Sequence, residues 1–137
     1  MVNKNVLAAR LDRLREYLDM LKAIQAYTLT DFIKDPFVYC AAERYLHLAI
    51  ECLLDIGNHV ISDRGYIKPD SYADVFRILG DNEVIPAPLC RELEGMASFR
   101  NLLVHDYLRL DRQKVYQIIQ GKVKSLEQLA AVFAELF

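Results

Sequence analysis

Glycine and proline are scarce in this 137-residue chain, five and four in all. So few turn-forming residues favour long regular elements over a loop-rich fold. The three cysteines, Cys40, Cys52 and Cys90, are odd in number, and none belongs to a C-x-x-C pair. That argues against a disulfide framework or a zinc ribbon and fits free, buried thiols in a reducing compartment. Nowhere do about 18 apolar residues follow one another, the length a membrane-spanning helix needs. The first residues, MVNKNVLAARLDRLREYL, carry charges where an export signal needs an apolar run. The expectation is a soluble, cytoplasmic protein. The strong positive excess of a basic nucleic-acid module is missing too. Net charge is −2, although the stretch 100–114 tilts the other way, with Arg100, Arg109, Arg112 and Lys114 against Asp106 and Asp111. There is no useful run of strand alternation, no internal repeat and no low-complexity segment.

What is present is helical periodicity. Hydrophobic residues make up 53% of the chain and charged ones 26%, a globular composition for one domain over residues 1–137. Leu7, Leu11, Leu14, Leu18 and Leu21 alternate steps of four and three, which predicts an amphipathic helix over about 4–31. Asp35-Pro36 starts a second helix, about 36–63, that is apolar around most of its circumference and belongs at the centre of a bundle. The stretch RGYIKPDS (64–71) reads as a loop. A short helix follows from Tyr72 to Leu79, with Gly80 as its stop. Pro86 and Pro88 open a fourth helix reaching towards Val104. Asp111 caps a fifth, whose buried face is Val115, Ile118, Leu126, Leu129 and Phe133. The expected fold is an all-α antiparallel bundle of four long helices and one short one.

The central helix also bears a polar row, Glu43, His47, Glu51, Asp55 and His59, each four residues after the last. Such a row drifts about 40° per step, because four residues overshoot one turn. Three readings stay open: an ordinary solvated face, a metal site, or a row of which part lines a functional groove and pairs with cations from another helix. A metal site on bundle helices needs a partner helix with a Glu-x-x-His pair, and the sequence has none.

The fourth helix supplies a cation. Its stripe reads Leu89, Leu93, Met96, then Arg100, then Leu103, so Arg100 stands where a core residue is due. A guanidinium keeps its charge, and burying it unpaired costs several kcal/mol, on the order of 3–5. It must escape to solvent at a helix end, meet a carboxylate such as Glu51 or Asp55, or await a substrate phosphate. His105 lies five residues on, about 140° around a straight helix, so the two converge only if the helix ends or unwinds between them. Asn101 and His105 do share a face. An imidazole beside an arginine suits metal-free phosphodiester chemistry, with proton movement on one side and charge stabilisation on the other.

The run RNLLVHDY resembles the R-x4-H-x-Y motif of the HepT toxins, a branch of the HEPN superfamily. The likeness extends through AAERYLHLAIECLLDIGNHVIS, RGYIKPDSYADVFRILGDNEVI and GMASFRNLLVHDYLRLDRQKVYQII, most of residues 40–120. This resemblance implies an all-α bundle forming two-fold homodimers whose motifs line a cleft at the interface. It implies a metal-independent endoribonuclease acting as the toxin of a type VII-like toxin–antitoxin pair. An MntA-like nucleotidyltransferase antitoxin would be the partner, neutralising the toxin by AMP transfer to the motif tyrosine. Carried over, Arg100 and His105 are the catalytic pair, Asn101 the polar residue beside the arginine, and Tyr107 the AMP acceptor. No cofactor or metal is implied. Glu51 and Asp55 enter as supporting residues from the polar row, not from the motif. A rival reading is a non-catalytic helical module that binds a nucleotide or a partner alongside a nucleotidyltransferase.

Overall fold

The computed structural model describes residues 3–137, apart from the side chain of Tyr107. The Asn3 side chain accepts from the N–H groups of Asn5 and Val6, starting α1 (Lys4–Ile24). All five leucines of the first stripe are buried. The helix stops well short of residue 31, and the cause is tertiary. The Gln25 amide donates to the Ile119 carbonyl at 2.8 Å, and the Gln25 carbonyl accepts from Gln120 Nε2 at 3.0 Å. The Tyr116 hydroxyl donates to the Tyr27 carbonyl at 2.8 Å. Groups from a distant helix satisfy the backbone that a continuing helix would have satisfied itself, so the chain is free to turn. Thr28 then caps α2 (Leu29–Lys34), accepting from the Asp31 N–H.

Asp35 accepts from the Phe37 N–H at 3.0 Å and Pro36 fits the first turn of α3 (Pro36–Arg64). Gly65, in the left-handed region at φ 70°, closes it as Tyr66 N–H returns to the Ile61 carbonyl. The helix packs against α1, α2 and three of the four helices that follow, so it occupies the centre of the bundle, as its apolar circumference requires.

Gly80 does not end the next helix, α4 (Tyr72–Asp81). The left-handed residue is Glu83, at φ 59°, with Val84 N–H bonded to the Leu79 carbonyl and Glu83 N–H to that of Gly80. These two bonds form a Schellman closure. Gly80 serves packing instead, since a Cβ there would stand 2.7 Å from Cys90 Sγ. The expected fourth helix is two helices, α5 (Ala87–Glu92) and α6 (Met96–His105). They part at Gly95, whose φ of 84° no regular helix admits. With that break Leu89, Leu93, Met96 and Phe99 all reach the core.

A 3₁₀ turn (Tyr107–Arg109) leads to α7 (Arg112–Glu135), capped by Asp111, which accepts from the Gln113 N–H at 2.9 Å. All five residues of its expected apolar face are buried. The architecture is all-α, with no strand among the described residues. Three long helices of 21, 29 and 24 residues support four shorter ones, in place of four long and one short. Among the described residues no helix is long and apolar enough to cross a membrane.

Candidate active site

Arg100 sits mid-way along α6, against α3 and α4, with its side chain only 11% exposed. Of the three fates open to it, it takes the carboxylate. Nη2 donates to Glu51 Oε1 at 2.5 Å, and Nη1 donates to Asn101 Oδ1 at 2.9 Å. The guanidinium also lies over the Tyr72 ring, 4.9 Å from its centre, which adds a cation–π attraction. Nε is buried without a hydrogen-bond partner among the described residues.

The polar row on α3 resolves into separate groups. Glu51 turns its other oxygen, Oε2, to His47 Nε2 at 2.5 Å. His47 Nδ1 faces Arg44 Nη1 at 3.3 Å. A guanidinium can only donate, so Nδ1 accepts, and the ring proton rests on Nε2, pointing at Glu51. Burial pushes the Glu51 carboxyl up, but the hydrogen bond and charge of Arg100, with the hydrogen bond from His47, outweigh it and hold it below its ordinary range. Asp55 behaves oppositely. Burial pushes its carboxyl above the ordinary range, against the pull of Arg10. Arg10 itself bonds His59 Nε2 at 2.6 Å, tying α1 to α3. Glu43, at the row's start, is also pushed up by burial, partly offset by the Arg112 charge. The row is therefore not a uniform solvated face, and one part of it, Glu51, pairs with a cation from another helix.

His105 is exposed and is the last residue of α6. The helix is unbroken from Met96 to His105, so it neither ends nor unwinds between Arg100 and His105. Within one chain the two lie about 140° apart around the helix axis, and convergence inside a single copy is not what this geometry provides. Asn101, exposed, touches Arg100 rather than His105. Tyr107 begins the 3₁₀ turn, and its side chain lies outside the described residues. Sequence reasoning missed Tyr72 as a neighbour of Arg100. Its position in the first turn of α4 gives no signal of that contact.

The description of the family model matching residues 14–133 is "HepT-like: Ribonuclease HepT-like". Over 87 residues, 64% of the chain, the sequence is 36% identical to YutE of Bacillus subtilis, and the match spans 60% of that protein. It is 27% identical over 114 residues to the tRNA nuclease HepT of Aphanizomenon flos-aquae, covering 83% of the chain and 78% of the relative. It is 33% identical over 87 residues to the mRNA nuclease HepT of Shewanella oneidensis, covering 64% of the chain and 65% of the relative. Among solved structures, the tri-AMPylated Shewanella oneidensis HEPN toxin in complex with MNT antitoxin superposes with a TM-score of 0.85. That likeness covers 98% of this chain and 99% of the toxin at 24% identity, and at that identity it shows a shared fold.

Proposed function

The chain belongs to the ribonuclease HepT-like family, and on that premise we propose that it is a toxin endoribonuclease cutting RNA with Arg100 and His105. The observation that carries this reading is the state of Arg100. It is a charged group in a core position, fixed by Glu51 and Asn101, stacked on Tyr72, and holding a buried Nε with no partner among the described residues. A guanidinium so held is preorganised for a phosphate, with little side-chain freedom left to lose.

His105 does the proton work at the helix end. Its imidazole takes the proton of the ribose 2′-hydroxyl as that oxygen bonds to phosphorus. The bond from phosphorus to the 5′-oxygen breaks, and the leaving oxygen collects a proton, giving a 2′,3′-cyclic phosphate and a free 5′-hydroxyl. Arg100 stabilises the charge that builds on the non-bridging oxygens. The step needs no metal. Because one continuous helix holds the two groups apart, we place the reacting phosphate between two copies of the chain in a two-fold homodimer, Arg100 from one and His105 from the other. Asn101 and Glu51 fix Arg100, and Asp55 adds negative field behind them.

Control follows from the same site. A nucleotidyltransferase antitoxin of the MntA kind transfers AMP from ATP to the Tyr107 hydroxyl, two residues beyond His105, releasing pyrophosphate and the hydroxyl proton. Added charge and bulk there repel and block an RNA backbone. Purified protein incubated with RNA and a metal chelator tests the reading. Wild type cleaves, while Arg100→Ala and His105→Ala cleave at least a hundredfold more slowly with melting temperatures close to wild type for the exposed His105. Full activity in His105→Ala ends the assignment. For Tyr107, mass spectrometry after co-expression with the antitoxin shows added AMP units on wild type and none on Tyr107→Phe.

A further inference from the structure

Tyr72, which carries the Arg100 guanidinium over its ring, also lines a groove of about 840 Å³ between the end of α3 and the loop leading to α4. The volume falls in the range of small-molecule sites, about 300–1,000 Å³. Two tyrosine rings, Tyr66 and Tyr72, line it, together with the Asn58 amide and the hydroxyls of Ser62 and Ser71. Ser71 precedes α4 but makes no capping bond, which leaves its hydroxyl for another partner. Lys68 is the one charged group among the described residues of the lining. In a chain of net charge −2, a depression with a cation and no carboxylate is suited to an anionic occupant.

We propose that this groove holds the nucleoside next to the scissile phosphate of a single-stranded RNA. The assignment deepens the ribonuclease reading and rests on it. Tyr72 is the link: its ring lies under the Arg100 guanidinium, and the same residue lines the groove. A strand that brings a phosphate to Arg100 therefore carries its adjoining residue directly to an aromatic surface. Base–aromatic stacking is tolerant of sequence. Asn58 and the two serines offer both donors and acceptors to a base edge or a 2′-hydroxyl. Lys68 meets the following phosphate, which adds charge without adding selectivity.

Equilibrium binding of a 2′-O-methyl RNA octamer, which cannot be cleaved, tests this on the full-length protein. Ser62→Trp fills the groove from an exposed position, and Lys68→Ala removes its charge. We expect Ser62→Trp to weaken binding about tenfold, the worth of one stacked base. Lys68→Ala should lower the slope of log K against log salt by about 0.7, the share of one phosphate contact. Wild-type binding in both variants overturns the proposal, as does an octamer that wild type does not bind. AMP binding as tightly as the octamer also overturns it, assigning the groove to a free nucleotide. A changed oligomeric state in Ser62→Trp does the same, by making the groove a protein interface. Cleavage of unmodified RNA is measured in parallel. A wild type that cleaves while its groove variants bind normally sinks the groove alone, whereas a wild type that never cleaves sinks the ribonuclease reading.

Discussion

Glu51 and Asp55 are one turn apart on the same helix, yet their surroundings give them opposite energetic signs. Glu51 is hydrogen-bonded as an anion by Arg100 and His47, so its charged form is favoured in the fold. Its stabilisation is fully present above its ordinary value of 4.5 and is lost as pH falls further, through the lowered folded value. Glu51→Gln leaves Arg100 with a neutral partner, and we expect a loss of about 1–3 kcal/mol at pH 7, below the figure for a fully buried pair because the site is part-exposed. The difference in melting temperature from wild type should shrink below pH 4.5. RNA cleavage should fall about tenfold or more, as Arg100 loses its anchor. Asp55 is held above its ordinary 3.8 mainly by burial. Ionising it therefore costs stability, and the cost grows as pH rises from 3.8 through the raised folded value. Thermal melts of Asp55→Asn at neutral pH should match or exceed wild type. A drop of several degrees would show that its pairing with Arg10 outweighs desolvation.

Helix ends, more than helix interiors, decide how this chain is divided. The leucine stripe of α1, the cap at Asp35 and the buried face of α7 were all legible in the sequence, because each is a local pattern. The stop after Ile24 was not, since it depends on Gln120 and Tyr116 arriving from α7. The break at Gly95 hid inside an unbroken apolar stripe, and only the backbone angle reveals it. Glycines at different places should accordingly respond with different signs. Gly95 has φ 84° and open space around a Cβ, so Gly95→Ala carries backbone strain alone, about 1–2 kcal/mol. Gly121 lies within α7 with open space where a Cβ would stand. Gly121→Ala should stabilise by about 0.5–1 kcal/mol through helix propensity. Denaturant midpoints of the two variants should move in opposite directions from wild type, and equal shifts would contradict this account of the α5–α6 break.

At the scale of the whole molecule, the site is distributed between what the fold fixes and what association would supply. Arg100 was legible as misplaced because its stripe position called for a core residue, and the meeting with Glu51 followed from the polar row on α3. The Tyr72 contact was not legible, because nothing in the spacing of α4 relates it to α6. Nor did spacing decide whether α6 would unwind between Arg100 and His105. The helix runs through both, and on the proposed reading a phosphate that needs both groups is served from two chains. Mixing two inactive variants tests that claim most directly. Arg100→Ala and His105→Ala, each nearly inactive alone, are unfolded together, refolded as a mixture, and assayed for RNA cleavage. Random pairing makes half of the dimers mixed, and each mixed dimer holds one intact Arg100–His105 set of its two. The account predicts recovery to about a quarter of wild-type activity. A mixture no more active than its components, although mixed dimers have formed, would contradict it.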